Sequence, residues 1–165
     1  LKRQPEQYVS INRAQIHINN PPEWIDTLEQ TTRRIKELLG AHETFIILPY
    51  NPLYYFLSDH ASPVPEIAYY QAQHVLEEQE KRIIADLERK NNQWIILSSR
   101  AFSSEPGLGV FGETYGLLLA QYLQENFSVV ETIGDWDAPP GWIVNNANRI
   151  YRKKIISGPP VAVKD

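Results

Sequence analysis

Short apolar runs of strand length alternate along this chain with amphipathic stretches of helix length, and no other feature constrains the fold as strongly. Ala14 to Ile18, Thr44 to Leu48, Gln93 to Leu97 and Ser128 to Ile133 are each bounded by turn or polar residues and read as strands. Three helices fall between them. In the first, Trp24, Leu28, Thr31, Ile35 and Leu38 recur at steps of four and three, with Asn20 as cap, Pro21 and Pro22 in the first turn, and Gly40 at the exit. The second runs from about Glu77 to Lys90, with Ile83, Ile84 and Leu87 inward and acids near its start, where the helix dipole favours them. The third runs from about Phe111 to Asn126, with Phe111, Tyr115, Leu118, Leu119, Tyr122 and Leu123 on one face. Ile143 to Lys154 reads as a last strand, charged toward its end, which suits an edge or an antiparallel addition. The expected architecture is an α/β three-layer sandwich with a mostly parallel, Rossmann-like sheet covered on both faces.

Composition limits what such a domain can do. With 165 residues, 42% of them hydrophobic, and a net charge of -4, the chain can bury a core without metal or disulfide, and it has no cysteine. There is no basic block, so the electrostatic footprint of a nucleic-acid binder is missing. The longest apolar runs, such as Phe45 to Leu48, fall far short of the roughly 20 residues that span a bilayer. We expect one domain over residues 1–165, with a core at about 14–154 and an irregular tail at 157–165. The chain starts at Leu1 and contains no methionine, which suggests a piece excised from a longer polypeptide.

Several constellations can carry chemistry. Gly107, Gly109 and Gly112 fit G-x-G-x-x-G ahead of the third helix, and Glu131 follows in the next strand, the pattern of a nucleotide- or dinucleotide-binding module. Its physics requires the first glycine to turn straight off the strand, yet Arg100 to Pro106 intervene. A flexible surface loop is the alternative. Asp135-Trp136-Asp137 puts two carboxylates beside an aromatic ring, suited to a sugar or a hard cation, or simply to a turn. Asn126-Phe127-Ser128 matches the short glycosylation acceptor pattern. Of the histidines, His60 follows Asp59 in a proline-punctuated region, while His17, His42 and His74 read as structural or exposed. No metal cluster is expected.

The segment Leu48-Pro49-Tyr50-Asn51-Pro52-Leu53-Tyr54-Tyr55-Phe56-Leu57-Ser58-Asp59-His60 leaves the C-terminal end of a predicted central strand, where open α/β sheets bind ligands. It packs three tyrosines and a phenylalanine together, either as an aromatic platform or as a short helix buried through Leu53, Phe56 and Leu57. Pro49, Tyr50, Pro52, Tyr55, Phe56 and Leu57 carry a resemblance. The pattern is similar to the region following the membrane helices in bacterial polytopic glycosyltransferases related to the dolichyl-phosphate-mannose protein mannosyltransferases. Ile83 to Glu88 before Trp94 to Leu97, Phe111 to Phe127, and a final strand ending at Arg152-Lys153-Lys154 resemble the elements that follow there, from about Ala14 to Lys154. Family members often carry Arg-x-Asn-Pro-Thr where this chain has His60-Ala61-Ser62-Pro63-Val64.

The resemblance implies an extracytoplasmic, periplasmic, non-catalytic accessory domain of a membrane glycosyltransferase that uses a polyprenyl-phosphate sugar donor. The catalytic acid of that family lies in an early loop between membrane helices, so no residue here inherits it. The implied partners are the transmembrane portion of the parent chain and a glycan or polyprenyl-phosphate sugar, with no nucleic acid and no cofactor. Tyr50, Asn51, Tyr54, Tyr55, Asp59 and His60 are the candidate contacts. The nucleotide-binding reading through Gly107, Gly109, Gly112 and Glu131 stays open, as does a purely structural role in holding neighbouring domains together.

Overall fold

A computed structural model describes residues 8–11, 14–17, 22–69, 76–99, 109–137 and 147–155. The elements run β1 (Tyr8–Ile11), β2 (Ala14–His17), α1 (Pro22–Leu38), β3 (Phe45–Leu48), α2 (Leu53–Ser58), α3 (Glu77–Arg89), β4 (Trp94–Ser98), α4 (Leu117–Asn126), β5 (Phe127–Ile133) and β6 (Asn148–Lys153). The apolar runs therefore became strands where expected. Their arrangement differs.

The main sheet has four strands in the order β3-β4-β6-β5. Among the described residues only β3 and β4 of this sheet pair in parallel, Leu48 opposite Leu97; β6 is antiparallel to both β4 and β5. The sheet is mixed rather than mostly parallel, so the Rossmann-like expectation fails in this respect. The expected last strand is antiparallel, but it wedges between two others instead of lying at an edge. Its charges find partners there: the Arg152 guanidinium lies 5.3 Å from the Trp94 ring centroid, and Lys153 Nζ is 2.7 Å from Glu88. The expected strand at Ala14 also does not join this sheet. It forms a separate two-stranded ladder with β1, Ile11 opposite Ala14, a local pairing whose loop-closure cost is small.

Alternation along β3 and β4 sends side chains to two cores. Phe45, Ile47, Trp94 and Ile96 meet Trp24, Leu28 and Ile35 of α1 and Tyr54 and Leu57 of α2. Ile46, Leu48 and Ile95 meet Ile83 and Leu87 of α3 and Leu119, Tyr122 and Leu123 of α4. Both faces of the β3–β4 pair are thus covered, whereas Val129 and Val130 of β5 stay exposed. In α2 the buried residues are Tyr54, Leu57 and Ser58, and Phe56, expected inside, is 48% exposed.

The third helix begins six residues later than its apolar spacing suggests. Gly112 and Gly116 take φ of +82° and +66°, and a tight turn is closed by the Gly112 N–H on the Tyr115 carbonyl at 2.7 Å. A Cβ at Gly116 would lie 2.5 Å from the Phe111 ring. Phe111 and Tyr115 still pack in the α3–α4 core, edge to face at 5.9 Å between ring centroids. The spacing recorded burial there, not helix.

A bulge between Val129 and Glu131 resets the phase of β5. Val129 stands opposite Tyr151, but Glu131 stands opposite Ile150, on the α1 side, where its Oε2 accepts from Arg34 Nε at 2.8 Å. Gly107 and the expected irregular tail at 157–165 lie outside the described residues.

Candidate functional site

β3, β4 and β5 all end at one edge of the sheet, and β6 begins there. This edge gathers Tyr50 and Asn51 after β3, Ser98 and Ser99 at the end of β4, Asn148 and Arg149 at the start of β6, and Asp135 and Trp136 after β5. Two constellations far apart in sequence, the aromatic segment and Asp135-Trp136-Asp137, share it. Open α/β sheets bind ligands at such an edge because strand ends leave backbone and loop polar groups unpaired.

The chain after β3 is held by several ties. The Leu48–Pro49 peptide is cis, the Tyr69 N–H donates to the Pro49 carbonyl at 2.8 Å, and Tyr50 bridges Ala68. Asn51 has φ of 142°, is 3% exposed, and presents a buried Nδ2 with no hydrogen-bond partner. The Tyr54 hydroxyl, fully buried, accepts from Asn148 Nδ2 at 2.8 Å, and the same amide donates to Thr31 Oγ1 at 3.2 Å. Helix α2 is thereby fastened to α1 and β6. Burial pushes the Tyr54 and Tyr69 phenols far above their ordinary range.

Tyr55 has another task. Its ring stacks on Phe45 with centroids 4.7 Å apart, and its hydroxyl accepts the Ile47 N–H at 3.0 Å. That N–H belongs to β3, an edge strand, so Tyr55 closes a backbone donor that would otherwise invite pairing. Burial raises the Tyr55 phenol as well.

Of the six expected contacts, Tyr50 and Asn51 therefore stand at the strand-end edge, while Tyr54 and Tyr55 serve the interior and the side of β3. Asp59 and His60 are carried away from it by α2, which spans about 9 Å. Asp59 ends that helix in the left-handed conformation at φ 64°, exposed. His60 places Nδ1 2.9 Å from the Ser58 carbonyl and its ring 6.3 Å from Phe45, at the opposite end of β3.

The glycine pattern does not assemble a phosphate cradle among the described residues. Gly109 precedes and Gly112 begins the turn at 112–115 rather than opening α4, and the Leu119 N–H at the start of α4 already donates to the buried Glu80 carboxylate at 2.9 Å. An anion seeking that helix N-terminus would meet a carboxylate. Glu131 sits on β5, separated from β4 by β6 and engaged with Arg34. Asn126 of the glycosylation pattern donates from Nδ2 to the Tyr122 carbonyl at 3.0 Å, finishing α4.

Asp135 accepts the Asp137 N–H at 3.2 Å, an aspartate turn, while the Arg149 guanidinium lies 4.1 Å from the Trp136 ring centroid. Ser99, Asn148 and Arg149 were not singled out from sequence. The only local sign was a pair of serines and a polar stretch abutting apolar runs. Two cavities lie elsewhere: one of about 270 Å³ at the other end of the sheet, around Thr44, Lys90 and Asn92, and an apolar groove of about 420 Å³ between α3 and α4. Among the described residues no group of three acidic or histidine side chains can hold a metal, and no helix is long and apolar enough to cross a membrane.

No protein-family model, no curated protein and no solved structure matches this chain.

Proposed function

We propose that this chain is a periplasmic, non-catalytic accessory domain of a membrane glycosyltransferase that draws sugar from a polyprenyl-phosphate donor. In this reading the edge at Tyr50 and Asn51 faces the donor or the acceptor, and the transfer step belongs to the transmembrane portion of the parent chain. One observation carries the proposal: the segment that bears the family resemblance, Pro49 to Leu57, is also the one that builds the strand-end edge. Its Tyr54 fixes Asn148, its Tyr55 closes β3, and its Asn51 is held with an unpartnered amide. The fold is read in the same way as a three-layer α/β/α sandwich whose β3–β4 pair keeps a Rossmann-like crossover.

The test is an assay of the 165-residue chain with a polyprenyl-phosphate sugar and an acceptor, together with binding to vesicles that carry the donor lipid. Binding without turnover is the expected result. Appreciable turnover, or no affinity for either donor or glycan, would overturn the proposal. Adenine nucleotides are expected to give no saturable response. A response lost in Gly109→Ala would favour the nucleotide-binding reading instead.

A further inference from the structure

The groove between α3 and α4, about 420 Å³, opens to solvent and is lined chiefly by apolar surface from Ile84, Ala85, Leu118 and Tyr122. Ile84 and Leu118 are half-buried in it, and Ala85 is exposed. Leu117, 55% exposed, lies one turn before Gln121 of the groove and extends the apolar surface. The rest of the lining is Lys81, Gln121 and Glu125, all exposed.

The order of these three along the groove follows from topology. Helix α3 doubles back into β4 and α4 into β5, and both strands are antiparallel to β6, so the two helices run side by side in one direction. The Glu80–Leu119 hydrogen bond joins their first turns. Lys81 therefore marks the starting end of the groove, Glu125 the finishing end, and Gln121 lies between them. A contact about a two-fold axis uses the same patch on both copies, so the patch must complement itself when reversed. This one does. Reversal sets each Lys81 against a Glu125, brings Gln121 onto its own copy with amide donors and acceptor to exchange, and closes Ile84 and Leu118 over apolar surface.

We propose that the α3–α4 face binds a second copy of this chain, groove against groove and antiparallel about a two-fold axis. Present contacts do not oppose it. Lys81 pairs with Glu77 at 2.7 Å and Glu78 at 3.0 Å, and Glu125 accepts from Gln121 at 2.8 Å; contacts so exposed contribute little and exchange partners cheaply. A lipid chain would leave the two charges unmatched, and an anionic membrane surface would call for basic residues at both ends. Helices of 13 and 10 residues lying about 10 Å apart outline a face of roughly 300–400 Å² per copy, less than the roughly 800 Å² of a standard stable interface. The dimer is accordingly weak and reversible. The proposal rests on these two helices and not on the glycosyltransferase reading.

The experiment is sedimentation velocity on the 165-residue chain from about 10 µM to about 1 mM. A monomer–dimer equilibrium with Kd on the order of 100 µM is expected. Ala85→Arg sets a charge among the apolar side chains at an exposed position that suits a good helix former, so it should melt with the parent and stay monomeric. Lys81→Glu or Glu125→Lys alone opposes like charges across the axis and should weaken the dimer about ten-fold. Mixed in equal amounts, these two variants pair with both contacts of opposite sign again, and affinity should return to within about two-fold of the parent. Only contact between copies produces that rescue. A parent chain still monomeric at about 1 mM, a dimer untouched by Ala85→Arg, or a mixture no tighter than either variant alone would overturn the proposal. Groove amide resonances that shift with added phosphatidylcholine vesicles but not with protein concentration would give the face to lipid and overturn it as well.

Discussion

Tyr54 and Tyr55 are neighbours of one residue type, yet they meet opposite needs. The Tyr54 hydroxyl is sealed between α1, α2 and β6 as acceptor for Asn148, whereas the Tyr55 hydroxyl caps a strand edge. Tyr54→Phe keeps the ring and removes one acceptor of the buried Asn148 amide, so we expect a loss of about 1–2 kcal/mol. A lower urea midpoint at unchanged slope checks it. The cluster of tyrosines after β3 was legible in the sequence as a unit of interest, because it stands at a strand end with turn residues around it. Which way each ring points was not, since an aromatic side chain with a polar tip serves core and surface equally well. Asn51 was legible as a candidate but Ser99 was not: an orphaned hydroxyl is a property of three strands meeting, and no one segment encodes it.

At the scale of elements, α4 depends on a partner from another helix. Its first turn has no side-chain cap of its own, and the buried Glu80 of α3 accepts the Leu119 N–H instead. Glu80→Ala strands that donor in the core and should cost roughly 1–3 kcal/mol, read by thermal or urea unfolding. Gly116→Ala should be at least as damaging. It combines a φ of +66° with a Cβ placed 2.5 Å from the Phe111 ring, and loss of the Phe111–Tyr115 contact in the near-ultraviolet circular dichroism would show it. Glu88 joins α3 to β6 and α4 through Lys153 and Tyr122, and these hydrogen bonds, Lys153 first, hold its carboxyl below its usual 4.5. A lowered carboxylate contributes stability that is present above pH 4.5 and lost as pH falls through the folded value. Glu88→Gln should therefore flatten acid destabilisation in that window. The side chain is 47% exposed, so solvent screening limits the difference to a few tenths of a kcal/mol.

For the molecule as a whole, strand positions were legible because a short apolar run between turn residues is a local signal, and partners were not because pairing is decided elsewhere in the chain. Nothing within Asn148 to Lys153 announces that it lies between β4 and β5, and nothing within Ala14 to His17 announces that it leaves the main sheet. What the whole fold does predict is an alkaline limit. Burial raises Tyr54 in the α1–α2 core and Tyr69 and Tyr122 in the α3–α4 core, each from an ordinary 10.0, and Tyr55 beside β3 rises too. Above pH 10 the unfolded chain releases these protons while the folded chain keeps them, so the native state binds more protons and stability falls as pH rises. Following tyrosinate absorbance and circular dichroism together, the exposed phenols should ionise first. The four raised ones, Tyr54, Tyr55, Tyr69 and Tyr122, should appear in a single later step coincident with loss of structure. Because Tyr54 and Tyr69 report on opposite faces of the sheet, ionisation of either near pH 10 with the fold intact would mean that its side of the sheet is open to water.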